Sequence, residues 1–238
     1  MSPKPRKTDF PTSQIRRYLE PGPIVLVSSA HDGRRNIMTM GWHTVMEFTP
    51  SLVGCVISSA NHSFEMIRQS RECVINLPTT KLTDIVVGIG NTTGAEIDKF
   101  EHFGLTAEKA ERVGAPLIAE CHANFECRLH DDGLVGKYNF FIFEVVKAHV
   151  AASPKHPETL HYTGDGVFVV SGKVISRRSL FRPEMLWSIG RLLSARPRID
   201  GSGERNRSCG ESWHMTSTDR FRRNAAAHGH SIARAPFE

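Results

Sequence analysis

The sequence predicts a mainly β protein, an antiparallel Greek-key barrel with a few helices set on its rim. Three observations lead there. The apolar runs are short and end in turn signals such as His31-Asp32-Gly33-Arg34 and Asp131-Asp132-Gly133. Between Asn124 and His130, Phe125, Cys127 and Leu129 alternate with Asn124, Glu126, Arg128 and His130, the period of two of a half-buried strand. No strand–helix rhythm recurs and no G-x-G-x-x-G is present, which argues against a doubly wound parallel sheet.

The elements follow in order. Residues 1–11 are rich in Pro and Lys and read as loose. Thr12-Ser13 can cap a short helix through Leu19, which Pro21-Gly22-Pro23 ends. Ile24–Ala30 is an apolar strand, and Asp32-Gly33 turns it into a second arm running from Arg35-Asn36 towards Phe48. After Thr49-Pro50, Leu52–Ser58 is nearly all apolar, as in a strand buried on both faces. A helix is expected over Ser63–Ser70 and a strand over Glu72–Leu77, closed by Pro78. Leu82, Ile85, Val86 and Ile89 fall on one face of a helix. Thr93–Phe103 also reads as helical, with Gly104 as its stop. Tyr138–Val150 is a long Phe-rich strand, and Leu160–Tyr162 and Val167–Val170 flank the turn Gly164-Asp165-Gly166.

The 238 residues allow one domain with an appendage, and the composition divides them. Residues 186–238 hold nine Arg, no Lys and five acidic residues, a net +4, which leaves only +1 for residues 1–185. Leu, Ile, Val and Phe make up about 15% of that tail, the level of a poorly packed or disordered extension. The expected organisation is one domain over residues 1–185 and an Arg-rich extension over 186–238. The body gives no charge argument for nucleic acid, so no nucleic-acid partner is expected. No apolar run approaches membrane-spanning length, and Met1–Glu20 shows no signal-like apolar core, so a cytoplasmic protein with no membrane partner is expected. The five cysteines contain no C-x-x-C. They read as reduced thiols, with Cys55, Cys73 and Cys127 inside strand-like apolar runs. The twelve histidines form no metal motif, so no metal is expected.

The chemistry concentrates in Asn36–Ser63. Trp42 offers a flat π-face for an aromatic ring, although a core or interface Trp is the plainer reading. Gly41 permits close approach, and His43 and Thr44 add polar groups to an apolar strand. Asn36 can both donate to and accept from a heteroaromatic edge. Ser58, Ser59, Asn61 and Ser63 precede a helix start, whose free N–H groups suit a phosphate; plain capping is the alternative and is compatible with it. Lys99, between Ile97 and Phe100, offers a cation for a phosphate or a reduced flavin, against the plain reading of a solvated surface Lys. Together these suggest a flat phosphorylated cofactor.

Four segments, NIMTMGWHTVMEFTPSLVGCVIS, SANHSFEMIRQSRECVINLP, DKFEHFGLT and APLIAECHANFECRL, give the sequence a resemblance to the flavin reductase-like FMN-binding split-barrel family, its flavoredoxin-type branch in particular. The likeness covers about residues 18–185 and rests on the order and spacing of these segments. The resemblance implies a split β-barrel homodimer with one FMN in each of two interface sites. It places Asn36, Thr39, Trp42, His43 and Thr44 along the isoalloxazine or ribityl, Ser58, Ser59, Asn61 and Ser63 at the phosphate end, Lys99 as a cation near the flavin, and Tyr138 as a contact from across the interface. No catalytic side chain is expected, because hydride transfer to a flavin needs no dedicated base. The implied activity passes electrons from NADH, NADPH or a protein donor through FMN to flavin, ferric iron or another acceptor. The alternative is an FMN-binding electron carrier with no nicotinamide site. The tail after Met185 departs from the family pattern.

Overall fold

A computed structural model describes Pro11 and residues 22–182. Residues through Ser176 belong to one compact unit and those from Arg177 on to a second, of which residues 177–182 are described, with a single 3-10 turn at Arg178–Leu180. The helix expected after Thr12-Ser13, the boundary expected after Met185 and the Arg-rich tail lie outside the described residues.

The strands are β1 (Val25–His31), β2 (Arg34–Met40), β3 (His43–Phe48), β4 (Ser51–Val56), β5 (Glu72–Leu77), β6 (Ala107–Glu108), β7 (Leu117–Ile118), β8 (Ala123–Asp131), β9 (Phe140–Val150), β10 (Leu160–Gly164) and β11 (Val167–Val170). The helices are α1 (His62–Ser70), α2 (Thr83–Gly90) and the single turns α3 (Lys99–His102) and α4 (Val135–Tyr138). Seven strands form one antiparallel sheet in the order β2-β1-β5-β8-β9-β4-β3; β10 pairs with β11 and β6 with β7.

That order decides the shape. β2 and β3 stand at opposite ends of the sheet, yet only Gly41 and Trp42 separate them. A two-residue link reaches no further than about 10 Å, so the sheet curls until its ends meet. No ladder joins β2 to β3 among the described residues, so the barrel keeps a seam there. The second hairpin arm expected as one strand from Arg35 to Phe48 is therefore two strands. Its first half pairs with β1 and its second with β4, and a chain turning between those partners must break.

Apolar alternation fills two layers. Val25 and Val27 of β1 enter the barrel core with Met38, Met40, Cys55, Ile57, Cys73, Ile75, Cys127, Phe141 and Phe143, and Ile67 of α1 joins them. Leu26 and Ile37 face outward and are covered by Val86 and Ile89 of α2 together with Phe100. Burying one such side chain is worth about 1.5–3 kcal/mol, so this outer layer holds α2 and α3 firmly on β1 and β2. Cys55, Cys73, Cys121 and Cys127 are buried free thiols. Burial pushes the Cys121 thiol up to about 12, which keeps it protonated and unreactive.

Strand β8 departs from the expected alternation. Asn124 and Glu126, read as solvent-facing, are buried, because residues 105–119 fold over that face. The buried carboxamide of Asn76 accepts from Ile118 N–H at 3.2 Å and from Asn124 Nδ2 at 2.8 Å, and donates to Leu26 C=O at 3.0 Å. Glu126 accepts from Glu111 N–H at 3.1 Å and from Arg112 N–H, and its Oε1 lies 2.7 Å from His149 Nε2. Burial alone would raise the Glu126 carboxyl; the His149 and backbone N–H donors outweigh it and hold the group below the usual range. Glu126→Ala leaves two buried N–H groups and His149 without their acceptor and should cost about 3 kcal/mol in urea unfolding near neutral pH. With a lowered folded pKa, the stabilisation is complete above the ordinary carboxylate value of about 4.3 and is lost as pH falls through the folded value. Glu126→Gln should accordingly differ from the parent most above pH 5 or so and converge on it in acid.

Candidate functional site

The seam between β2 and β3 gathers most of the residues singled out in the sequence. At one end, Trp42 occupies the break between the strands rather than a strand interior, and it is 53% exposed. Its carbonyl accepts from Val56 N–H at 3.0 Å, and the next residue, Ile57, donates its N–H to Asn139 C=O at 3.0 Å. These two bonds bring the Trp42 corner, the Ser58 turn and Tyr138 to the same end of the barrel. Tyr138 lies in α4 rather than in β9, is 57% exposed and has the Lys137 ammonium 4.9 Å from its ring centre. His43 Nε2 sits 2.7 Å from Pro23 C=O, so this ring anchors the chain entering β1. Thr44 is exposed, with Oγ1 donating to Val45 C=O at 3.3 Å.

The Ser58–Ser63 turn opens α1 as expected, one residue earlier than the apolar pattern indicates. Asn61 is its cap, with its side chain accepting from Ser63 N–H at 2.9 Å. Ser58 Oγ accepts from Ala60 N–H at 3.3 Å; Ser58 and Ser59 are exposed. Ser63 is buried, and its Oγ accepts from Asn36 Nδ2 at 2.9 Å and from Ser29 Oγ at 3.3 Å. Asn61 and Ser63 thus serve the fold, while Ser58 and Ser59 stay open to a ligand.

Asn36 is the centre of this arrangement. It is 1% exposed, and its Oδ1 is the one buried side-chain polar atom among the described residues without a partner. An unpaired buried carbonyl costs about 1–3 kcal/mol, so the position favours a donor arriving from outside the chain. Gly94 presses on the same oxygen, and a Cβ there would run into the Asn36 carboxamide.

Thr39 and Lys99 belong to the other side of β2. Thr39 Oγ1 donates to Val86 C=O at 2.7 Å, and Lys99 Nζ donates to Ile89 C=O at 2.9 Å, so both hold the C-terminal half of α2. Thr39 shares its face of β2 with Ile37, in the layer under α2, and Asn36 shares the opposite face with Met38 and Met40, in the barrel core. β2 is a sheet edge. The chain after α2 rounds it, with Gly90 beside Thr39 and Gly94 beside Asn36. Lys99 is 4% exposed, not a solvated surface Lys, and burial lowers its ammonium to about 8.

The long helix expected over Thr93–Phe103 is only α3. Asp98 caps it, accepting from Phe100 N–H at 2.8 Å and Glu101 N–H at 3.3 Å. Burial would raise the Asp98 carboxyl, but Arg35 Nε at 2.9 Å and these two N–H groups hold it below its usual value. Arg35 also stacks over Phe100, 4.8 Å from the ring centre, which ties α3 to β2. Sequence reasoning missed Ser29, Gly94 and the Arg35–Asp98 pair. The adjacent serines Ser28-Ser29 inside an apolar strand were the visible signal for the first; nothing local marked the others.

The model of the family described as "Flavin reductase like domain" matches residues 16–171. The chain belongs to the flavin reductase-like family. Among its relatives, an uncharacterized protein of Archaeoglobus fulgidus is 32% identical over 129 residues, covering 54% of this chain and 72% of that protein. The uncharacterized protein YddH of Escherichia coli K12 is 32% identical over 174 residues, covering 67% of this chain and 92% of its own. Among solved structures, the FMN-binding domain of a flavin reductases-like enzyme from Shewanella baltica OS155 superposes with a TM-score of 0.60 at 26% identity, over 70% of this chain and 95% of that one. Flavoredoxin of Desulfovibrio vulgaris (Miyazaki F), with a TM-score of 0.61 at 22% identity over 66% of this chain and 91% of its own, shares the fold. The mainly β, split-barrel architecture read from the sequence is therefore correct. Among the described residues, no helix is long and apolar enough to cross a membrane.

Gly94→Ala tests the packing on Asn36. The added methyl should displace the carboxamide or the loop and lower stability by about 1–3 kcal/mol, read as a drop in Tm, whereas Gly136→Ala, which meets no neighbour, should change it by far less.

Proposed function

We propose that this chain is an FMN-binding oxidoreductase that passes electrons from NADH, NADPH or a protein donor through FMN to flavin, ferric iron or another acceptor. The observation that carries the reading is the unpaired, buried Asn36 carbonyl at the barrel seam, in a chain of the flavin reductase-like family. The residues fit the cofactor. Asn36 Oδ1 suits a ring N–H or a ribityl hydroxyl, the exposed Trp42 face suits a flat tricycle, and Ser58 and Ser59 suit a phosphate at the start of α1. When bound, FMN supplies the two-electron chemistry, and the protein supplies stacking, orientation and charge. Thr39, His43, Thr44, Asn61 and Ser63 shape this site mainly by holding its walls. Lys99 contributes its ammonium from beneath α2.

A homodimer with FMN at the interface is part of this reading. The edge strand β3 carries exposed Val45, Met46 and Phe48 in continuity with Trp42, and an exposed apolar edge strand calls for a partner. A second copy would cover this edge and bring its own Tyr138 towards the ring. The cytoplasm is the compartment this reading assigns.

Three measurements check the proposal. The purified protein should be yellow or take up FMN at micromolar concentration, and Trp42→Ala should weaken that uptake at least tenfold; a colourless protein that ignores FMN sinks the reading. FMN affinity should fall as pH rises above about 8, where the free protein loses the Lys99 ammonium, and Lys99→Ala should remove that pH dependence. Phe48→Asp should convert a dimer to monomer by light scattering. Turnover of NADH or NADPH with added FMN separates the reductase from an electron carrier, which would hold flavin without consuming either.

A further inference from the structure

Buried polar side chains meet where α1 packs on β1 and β2. Ser29 and Asn36 are cross-strand partners in the β1–β2 ladder. By the alternation of each strand, Ser29 shares the inward face with Val25 and Val27, and Asn36 with Met38 and Met40. Ser63 and Met66 reach them from α1. All four of Ser29, Asn36, Ser63 and Met66 are buried.

Hydroxyls in an apolar layer are costly unless paired, and here the pairing converges on one end of one amide. Asn36 Nδ2 donates to Ser63 Oγ at 2.9 Å, and Ser29 Oγ donates to the same oxygen at 3.3 Å. Ser29 has a single hydroxyl proton, and its other acceptor in reach is Met66 Sδ at 3.9 Å. A thioether accepts only weakly, so the proton goes to Ser63. Two donors then fill the two lone pairs of Ser63 Oγ, and the N–H end of the Asn36 amide is the end that Ser63 holds.

Gly94 fixes the other end. A Cβ at Gly94 would run into Asn36 Oδ1, so one Cα–H of this glycine points at the oxygen. A Cα–H against a carbonyl oxygen is a weak attraction. An NH2 group in the same place would set hydrogen against hydrogen. Both contacts therefore favour one orientation, with N–H on Ser63 and the carbonyl left without a partner among the described residues.

We propose that Ser63, with Ser29 behind it and Gly94 opposite, is a positioning residue that sets the polarity of the Asn36 position. The position takes a hydrogen-bond donor and rejects an acceptor. Its consequence for the cofactor rests on the flavin reading of the seam. FMN carries both kinds of group: its ring carbonyls accept, and its N3–H and ribityl hydroxyls donate. Asn36 as held is matched to the second kind.

The experiment is FMN titration of the purified full chain as parent, Ser63→Ala, Asn36→Leu, Asn36→Asp and Asn36→Asp/Ser63→Ala. Tm and the side-chain 15N NMR spectrum without FMN are recorded on the same samples. Ser63→Ala frees the amide to turn and should weaken FMN binding roughly tenfold. Asn36→Asp has an oxygen at both ends and so no wrong end to present. It should lose less affinity than Asn36→Leu, and adding Ser63→Ala to it should cost less than about threefold more. In the spectrum, the Asn36 side-chain N–H signals should move on Ser63→Ala, while those of Asn76 and Asn124, held by Leu26 C=O and Ile118 C=O, stay in place. Ser29→Ala should give the same pattern at smaller size, and it carries the test if Ser63→Ala does not fold. An equal loss from Ser63→Ala in both backgrounds overturns the inference, because Ser63 then only supports the wall. Asn36→Asp losing as much as Asn36→Leu overturns it too, as do Asn36 signals that ignore Ser63; FMN uptake by the parent would still uphold the flavin reading. A parent that takes up no FMN, with Asn36 signals that answer to Ser63, sinks the flavin reading and keeps the positioning role.

Discussion

The two-residue link at Gly41-Trp42 constrains the whole body. It joins strands from opposite ends of a seven-stranded sheet, so the sheet has to close on itself. Closure without a ladder leaves an open seam. The seam exposes Trp42, frees the edge of β3 and lets the chain after α2 pass from one face of β2 to the other. A barrel zipped by hydrogen bonds between β2 and β3 would have no room for a flat ligand there.

Around that seam the chain spends its polar groups unevenly. Beneath residues 105–119, Asn76 and Glu126 meet several partners each, and the carboxylate is held charged despite its burial. These networks rigidify the side of the barrel away from the seam, since a buried polar group that loses a partner is costly. At Asn36 the accounting is left open. Its amide is used by Ser63 and its carbonyl by nothing among the described residues. Asn36 is thus the described position where an otherwise satisfied interior leaves a side-chain acceptor unpaired.

Lys99 shows how one side chain serves fold and charge together. Its ammonium closes the end of α2 through Ile89 C=O, where the helix dipole is negative. Burial makes that charge easy to lose, so an anion nearby would strengthen what the helix end alone holds weakly.

Much of this was legible in the sequence. The β1 strand, the Asp32-Gly33 turn, the Asn61 cap, the Glu72–Leu77 strand and the apolar face of α2 all depend on chemistry within a few residues. Short-range hydrogen bonding and side-chain period decide such features wherever they occur. The same local signals misread Asn124 and Glu126 as outward-facing, Thr93–Phe103 as a helix and Arg35–Phe48 as one strand. Each of those outcomes is settled by a partner remote in sequence: the covering segment 105–119, the edge of β2, the two different neighbours of β2 and β3. The sequence by itself determined the β1 and β5 strands, the Asp32-Gly33 turn, the cap of α1 and the apolar face of α2. Only the tertiary structure decided which face each group would occupy, because burial is a property of what packs on top, and that is chosen by strand order rather than by neighbours along the chain.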